Sequence, residues 1–150
     1  GSGYLQNAAG TGFTIVPLPE PVNRPLALDA DGDGDPDLVA NRGDGTLLWL
    51  PNLGGTFAAG IVLPGAQPST ALAAADLDGD GRADLLRSDA AGAVEWLRCT
   101  GNGLFTPVAN AFPAGLVPTA AATAADLDGD GDLDLVLATA AATAADRVVV

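Results

Sequence analysis

The chain contains no histidine, no lysine and no methionine, one cysteine, and no apolar run of the ~18 residues that a membrane-spanning helix needs. Each absence removes a class of function. Without histidine there is no Ser/His or Cys/His pair for nucleophilic catalysis, and the commonest general base and the usual zinc or copper ligand are missing. The only glutamates are Glu20 and Glu95, and no phosphate-cradling glycine motif follows an apolar strand, so no enzyme is expected. Cys99 stands alone, which excludes an internal disulfide. It reads as a small buried hydrophobe, with an intermolecular bridge as the alternative. Positive charge is scarce: six arginines face nineteen acidic residues, for a formal net charge of −13. That balance argues against nucleic acid and anionic membrane surfaces as partners, and membrane insertion is not expected. Neither an initiator methionine nor a signal peptide opens the sequence, so it reads as a mature product or an excised piece.

What is present is a nine-residue acidic loop written three times. The copies are Asp29-Ala30-Asp31-Gly32-Asp33-Gly34-Asp35-Pro36-Asp37, then residues 76–84 (DLDGDGRAD), then residues 126–134 (DLDGDGDLD). Carboxylates recur at loop positions 1, 3, 5 and 9, namely Asp29, Asp31, Asp33 and Asp37, then Asp76, Asp78, Asp80 and Asp84, then Asp126, Asp128, Asp130 and Asp134. Alternate carboxylates on a tightly turned backbone converge on one point, and hard oxygen donors in that number suit calcium. An isolated Asp-Gly cluster is commonly just a solvated turn. Three copies at one spacing are different, because four like charges held together are unfavourable without a counter-ion. Fourteen of the nineteen acids lie in these loops, so three calcium ions would reduce the net charge to −7. An EF-hand shares the opening but requires a bidentate glutamate at position 12, where this chain has Ala40, Arg87 and Leu137. Position 9 is expected to close the cage instead.

The loops start 47 and then 50 residues apart, and Tyr4, Trp49 and Trp96 are spaced 45 and 47. A period in the forties with strand-like patterning indicates a radial or solenoidal β array. In the middle repeat four strands are expected, at 70–75, 84–87, 93–98 and 104–109, with the acidic loop between the first two and a turn at 88–92. Four antiparallel strands in this length make a propeller-type blade. The fold expected is therefore all-β, with three four-stranded antiparallel blades, one of them split between the termini. As one repeat domain over 1–150 it divides into a partial blade 1–24, repeats 25–67 and 68–117, and a partial repeat 118–150. Ala73, Ala74 and Ala75, with Ala121, Ala122, Ala124 and Ala125, fit inner strands crowded about a narrow axis, although alanine favours helix intrinsically. Residues 140–145 are expected to form a long turn and 147–150 a third strand. Trp49 and Trp96 read as core residues, with sugar stacking as the alternative.

The motif Asp-x-Asp-Gly-Asp-Gly-x-x-Asp-Leu, the aromatic-Leu-x-Asn strand and the glycine turn before Phe resemble the FG-GAP/VCBS repeats of integrin-α-like β-propellers. The words Phe-Gly and Gly-Ala-Pro that name that family are degraded here, as in Phe13-Thr14, Phe57-Ala58 and Phe105-Thr106. The resemblance implies three calcium ions, one per loop, each held by the four aspartates together with the main-chain carbonyl at position 7, contributed by Asp35, Arg82 and Asp132. It implies a non-enzymatic module of a secreted or cell-surface protein, acting in adhesion or self-assembly, with carbohydrate binding as the alternative. Calcium at ordinary loop affinities is useful where the ion is plentiful, which agrees with an extracellular setting. The partners expected are other copies of the chain, closing a ring or extending a filament, or further repeats of a longer chain, with glycans as a third class.

Overall fold

The computed structural model describes residues 1–63, 69–89, 93–113 and 119–139. All of their regular structure is β, and no helix occurs among them. An antiparallel hairpin of β1 (Gly3–Asn7) and β2 (Phe13–Pro17) comes first, joined in the register Leu5↔Ile15. A four-stranded sheet follows in the order β3 (Asn23–Leu28), β4 (Asp37–Asn41), β5 (Leu47–Leu50), β6 (Ile61–Val62). The second four-stranded sheet comprises β7 (Ser69–Ala75), β8 (Asp84–Asp89), β9 (Val94–Gly101) and β10 (Leu104–Pro107). A closing pair is formed by β11 (Thr119–Ala125) and β12 (Asp134–Thr139). None of the sheets closes on itself.

The repeat is therefore a meander of four neighbouring antiparallel strands, with each acidic loop joining the first strand to the second. The alanine-rich segments are strands, because each pairs along its length with an apolar partner: Ala74↔Leu85 in one repeat, Ala124↔Leu135 in the next. Pairing overrides the intrinsic helix preference of alanine. First strands of successive units lie beside one another, β3 against β7 and β7 against β11. The alanines of β7 and β11 permit that approach.

Several strand ends differ from expectation. β3 starts at Asn23, inside the segment assigned to the first partial blade, and its ladder breaks between Asn23 and Leu26. Arg24 there has φ of 50°, and Pro25 has no N–H to give the ladder. β8 runs to Asp89 and β9 to Gly101, beyond the expected ends, while β10 stops at Pro107. In the first sheet the fourth strand is interrupted, with Phe57 bridging Asn52 before β6 resumes opposite Leu48 and Trp49. The chain departs there because the Gly60 N–H turns to the Glu20 carboxylate, 2.9 Å away. The expected turn at 140–145 and strand at 147–150 lie outside the described residues.

Both faces of the first sheet are covered, which explains why its strands lack clean alternation. One face holds Val39, Leu47 and Trp49 with Leu85, Leu97, Cys99 and Phe105 of the second sheet. The other holds Ala40, Leu48 and Leu50, with Val22, Leu38 and Phe57 packed against them. Trp49 and Cys99 thus take the core positions read from the sequence. Gly103 is what lets the sheets meet: at φ of +67° it lies so close to the Trp49 ring that a Cβ would fall 2.0 Å from it. Main-chain bonding crosses the same contact, since the Gly103 N–H donates to the Ala30 carbonyl at 2.9 Å.

Candidate metal centre

Each acidic loop is wound by its own carboxylates. Asp29 at position 1 accepts from the N–H groups of Gly32 (2.8 Å) and Gly34 (3.0 Å), one on each oxygen. In the second loop Asp76 accepts from Asp80 (3.0 Å) and Gly81 (2.8 Å), and in the third Asp126 accepts from Gly129 (2.7 Å) and Gly131 (3.1 Å). The carboxylates at positions 3 and 5 then each accept the N–H two residues on: Asp31 and Asp33, Asp78 and Asp80, Asp128 and Asp130. Such local side-chain-to-backbone bonds are what aspartate offers in a turn. Glycines at positions 4 and 6 adopt φ between +73° and +98° in all three loops, which lets the backbone coil round one point.

The consequence is convergence. One carboxylate oxygen from each of Asp29, Asp31 and Asp33 lies within 4.8 Å of the others, and the same holds for Asp76, Asp78 and Asp80. In the third loop the converging set is Asp126, Asp128 and Asp134, with Asp130 outside it. Each set could hold a metal ion, and an all-oxygen donor set suits a hard cation. The main chains of Asp35, Arg82 and Asp132 are drawn to the same loops, their N–H groups donating to Asp33, Asp80 and Asp130.

Position 9 does something the sequence did not announce. Asp37 is fully buried. Its Oδ2 accepts from the Ala30 N–H (3.1 Å) and from the Trp49 indole Nε1–H (2.8 Å), and its Oδ1 from the Asn52 N–H (2.7 Å). Asp84, equally buried, accepts from Leu77 (3.3 Å), Trp96 Nε1 (2.9 Å) and the Cys99 N–H (2.8 Å). This carboxylate pins the loop to the third strand and stands outside the converging oxygens in the first two repeats. The available signal was spacing: a tryptophan stands twelve residues beyond position 9 in both repeats.

Electrostatics follow the crowding. Burial raises the Asp31 carboxyl above its ordinary range, and the charges of Asp37, Asp33 and Asp29 push the same way against the Asp33 N–H. Burial likewise raises Asp84, with Asp78 adding to it and the Cys99 and Trp96 donors opposing. Among the described residues the second loop alone carries arginine counter-charges: Arg82 to Asp80 Oδ2 at 2.6 Å and Arg98 Nε to Asp78 Oδ2 at 2.7 Å. The Arg98 guanidinium also sits 5.6 Å from the Trp96 ring centre. Loops two and three border a shared recess of about 390 Å³ lined by Asp76, Asp78, Gly79, Gly131 and Asp132.

No curated protein and no solved structure matches the chain. The FG-GAP-like repeat family matches it twice, over residues 29–87 and 76–137, each match running from one acidic loop into the next. Repeat length, meander and loop position agree with that match, and the chain belongs to the FG-GAP-like repeat family.

Proposed function

We propose that the chain is a non-enzymatic β-propeller-type repeat module stiffened by calcium, working in adhesion or self-assembly as part of an extracellular or cell-surface protein. The observation that carries this reading is the shared winding of three loops, each presenting three converging carboxylate oxygens. Calcium is the ion best fitted to exposed all-oxygen loops, and it is abundant outside cells. A dissociation constant near 10⁻⁴ M, with about 1 mM free ion, stabilises the fold by roughly 1.4 kcal/mol per site. Relief of carboxylate repulsion adds to that figure.

Calorimetric titration of the chelator-treated chain tests the reading. Three ions bind, and calcium raises the melting temperature. Asp78→Ala removes one ion and leaves two. A melting temperature indifferent to both calcium and chelator overturns the structural role.

Carbohydrate binding is the second reading, now at a different place. Trp49 is buried and the Arg98 guanidinium lies over the Trp96 ring, which makes both poor stacking platforms. A recess of about 310 Å³ beside Tyr4, Pro36, Asn52 and Phe57 offers aromatic walls instead. Saturable binding on a glycan array that is lost in Phe57→Ala favours this reading over assembly.

A further inference from the structure

The first two metal loops are joined through one buried residue. Ala30 stands between Asp29 and Asp31, two of the converging carboxylates of the first loop, and is fully buried. Its N–H donates to Asp37 Oδ2 at 3.1 Å, and its carbonyl accepts the Cys99 thiol at 3.4 Å and the Gly103 N–H at 2.9 Å. Cys99, equally buried, turns its main chain the other way. The Cys99 N–H donates to Asp84 Oδ1 at 2.8 Å, and the Cys99 carbonyl accepts from Arg82 Nε at 3.5 Å. Asp84 Oδ2 accepts the Leu77 N–H at 3.3 Å, and Leu77 stands between Asp76 and Asp78, two converging carboxylates of the second loop. Position 2 of one loop is thus connected to position 2 of the next by bonds running through Ala30, Cys99, Asp84 and Leu77.

The Cys99 side chain is what carries the path between units. Pairing with Phe13, Phe57 and Phe105 makes Asn7, Asn52 and Cys99 equivalent third-strand residues. The two asparagines spend their side-chain oxygens on their own turns, accepting the Gly10 N–H at 2.7 Å and the Gly55 N–H at 2.8 Å. Cys99 has no amide to spend in that way. Its neutral thiol, a weak donor, reaches back to the loop of the preceding unit instead.

We infer that the first and second loops bind their ions cooperatively, with Cys99 as the residue that couples them. This rests on the metal reading above and adds a relation between two of its sites. An ion in the first loop fixes Asp29 and Asp31, and with them the Ala30 peptide that they flank. Its carbonyl then holds Cys99, whose N–H holds Asp84, which in turn holds Leu77 in the second loop. The shared segment is ordered once, by whichever ion arrives first, and the other ion binds without repeating that cost. Linkage makes the gain reciprocal, each ion raising the affinity of the other loop by the same factor. Charge acts the other way, because an ion in one loop weakens the negative field at the other. Salt screens that effect beyond about 8 Å at physiological ionic strength. The net gain is about five-fold, at the low end of the usual range for coupled sites.

The test titrates the full chain with calcium at physiological ionic strength in an Asp128→Asn background, which weakens the third loop and leaves two sites. Asparagine keeps a side-chain oxygen to wind the loop and removes a charge. Asp31→Asn or Asp78→Asn, added to that background, gives the affinity of one loop with the other empty. Calorimetry of the two-site chain shows overall binding about five-fold tighter than the product of the two separate constants. Cys99→Ala removes most of that gain, and Cys99→Ser, which keeps a donor, retains it. Hydrogen exchange gives a second readout: in the Asp78→Asn chain calcium slows exchange at the Leu77 and Cys99 N–H groups although the second loop is disabled, and Cys99→Ala abolishes the protection. Chains with all three loops intact keep the inference testable where a loop variant fails to fold, since calcium binding is steeper in the wild type and Cys99→Ser than in Cys99→Ala. Absence of any gain, a gain unchanged by Cys99→Ala, its loss in Cys99→Ser, or exchange at Leu77 indifferent to calcium each overturns the inference. Ions bound without coupling sink the cooperativity alone, and a chain that binds no calcium sinks the metal reading with it.

Discussion

The indole N–H of Trp49 donates to the buried carboxylate of Asp37 across 2.8 Å, twelve residues apart in the chain and on the neighbouring strand of the sheet. The same bond joins Trp96 to Asp84. A buried carboxylate is tolerable only when its oxygens are saturated with donors. Trp49→Phe keeps most of the ring volume and deletes one donor, so it lowers stability by about 1–2 kcal/mol. Denaturant melts of Trp49→Phe and Trp49→Leu, in calcium, measure the effect; equal stability of wild type and Trp49→Phe would deny the bond an energetic role.

Gly103 sits where neither its backbone angle nor its surroundings admit a side chain. Gly103→Ala drives a methyl group into the Trp49 ring and strains a positive φ, for a loss of about 2 to 4 kcal/mol. Gly101 also has positive φ but open space around its Cβ direction, so Gly101→Ala costs distinctly less. Thermal unfolding of the two variants side by side checks the ordering.

Arg98 competes with any cation for Asp78. Both partners of this ion pair are partly exposed, so its worth falls in the usual range for surface pairs, about 0.2–1 kcal/mol. Arg98→Gln accordingly tightens calcium binding at the second loop by roughly 1.5- to 5-fold, with the first and third loops unchanged. Calorimetry resolves it, and weaker binding in the variant would show that Arg98 supports the loop instead.

Glu20 accepts two guanidinium bonds from Arg42 (2.8 and 3.0 Å) and the Gly60 N–H. Hydrogen bonding from Arg42 is the main reason its carboxyl titrates below the ordinary glutamate range. A lowered folded pKa gives stability that is fully present above the ordinary value of about 4.3 and is lost as pH falls through the folded value. Glu20→Gln therefore reduces stability at pH 7, by at most about 1 kcal/mol because the pair is partly exposed. The gap between variant and wild type closes on acidification. A pH series of melts reads both effects.

The acidic loops were legible because every step of their construction is local. Aspartate bonds to N–H groups two to five residues away, and glycine supplies the positive angles, so the loop geometry is written within nine residues. The role of position 9 was not legible in the same way. Asp37 is chemically identical to Asp33 in the sequence, and only the burial created by sheet pairing gives it the further role of anchoring the third strand. Strand ends were missed for a related reason. Ser88 looks like a turn residue, yet Thr70 on one side and Val94 on the other hold it in the ladder. The interruption before β6 depends on Glu20, forty residues from Gly60, and no local pattern encodes it.

The contact of Trp49 with Gly103, together with the bond from the Gly103 N–H to the Ala30 carbonyl, gives the repeat array a direction. The earlier unit contributes the aromatic ring and the loop carbonyl; the later unit contributes the glycine turn. Tyr4 repeats the arrangement one step back, its hydroxyl on the Gly55 carbonyl of the next unit. Such a joint has a front and a rear that cannot be exchanged. Units stacked through it all point the same way, like tiles lapped on a roof, and two arrays cannot use it to meet front to front. Whatever binds the leading edge of this chain therefore faces a different chemical surface from whatever binds the trailing edge.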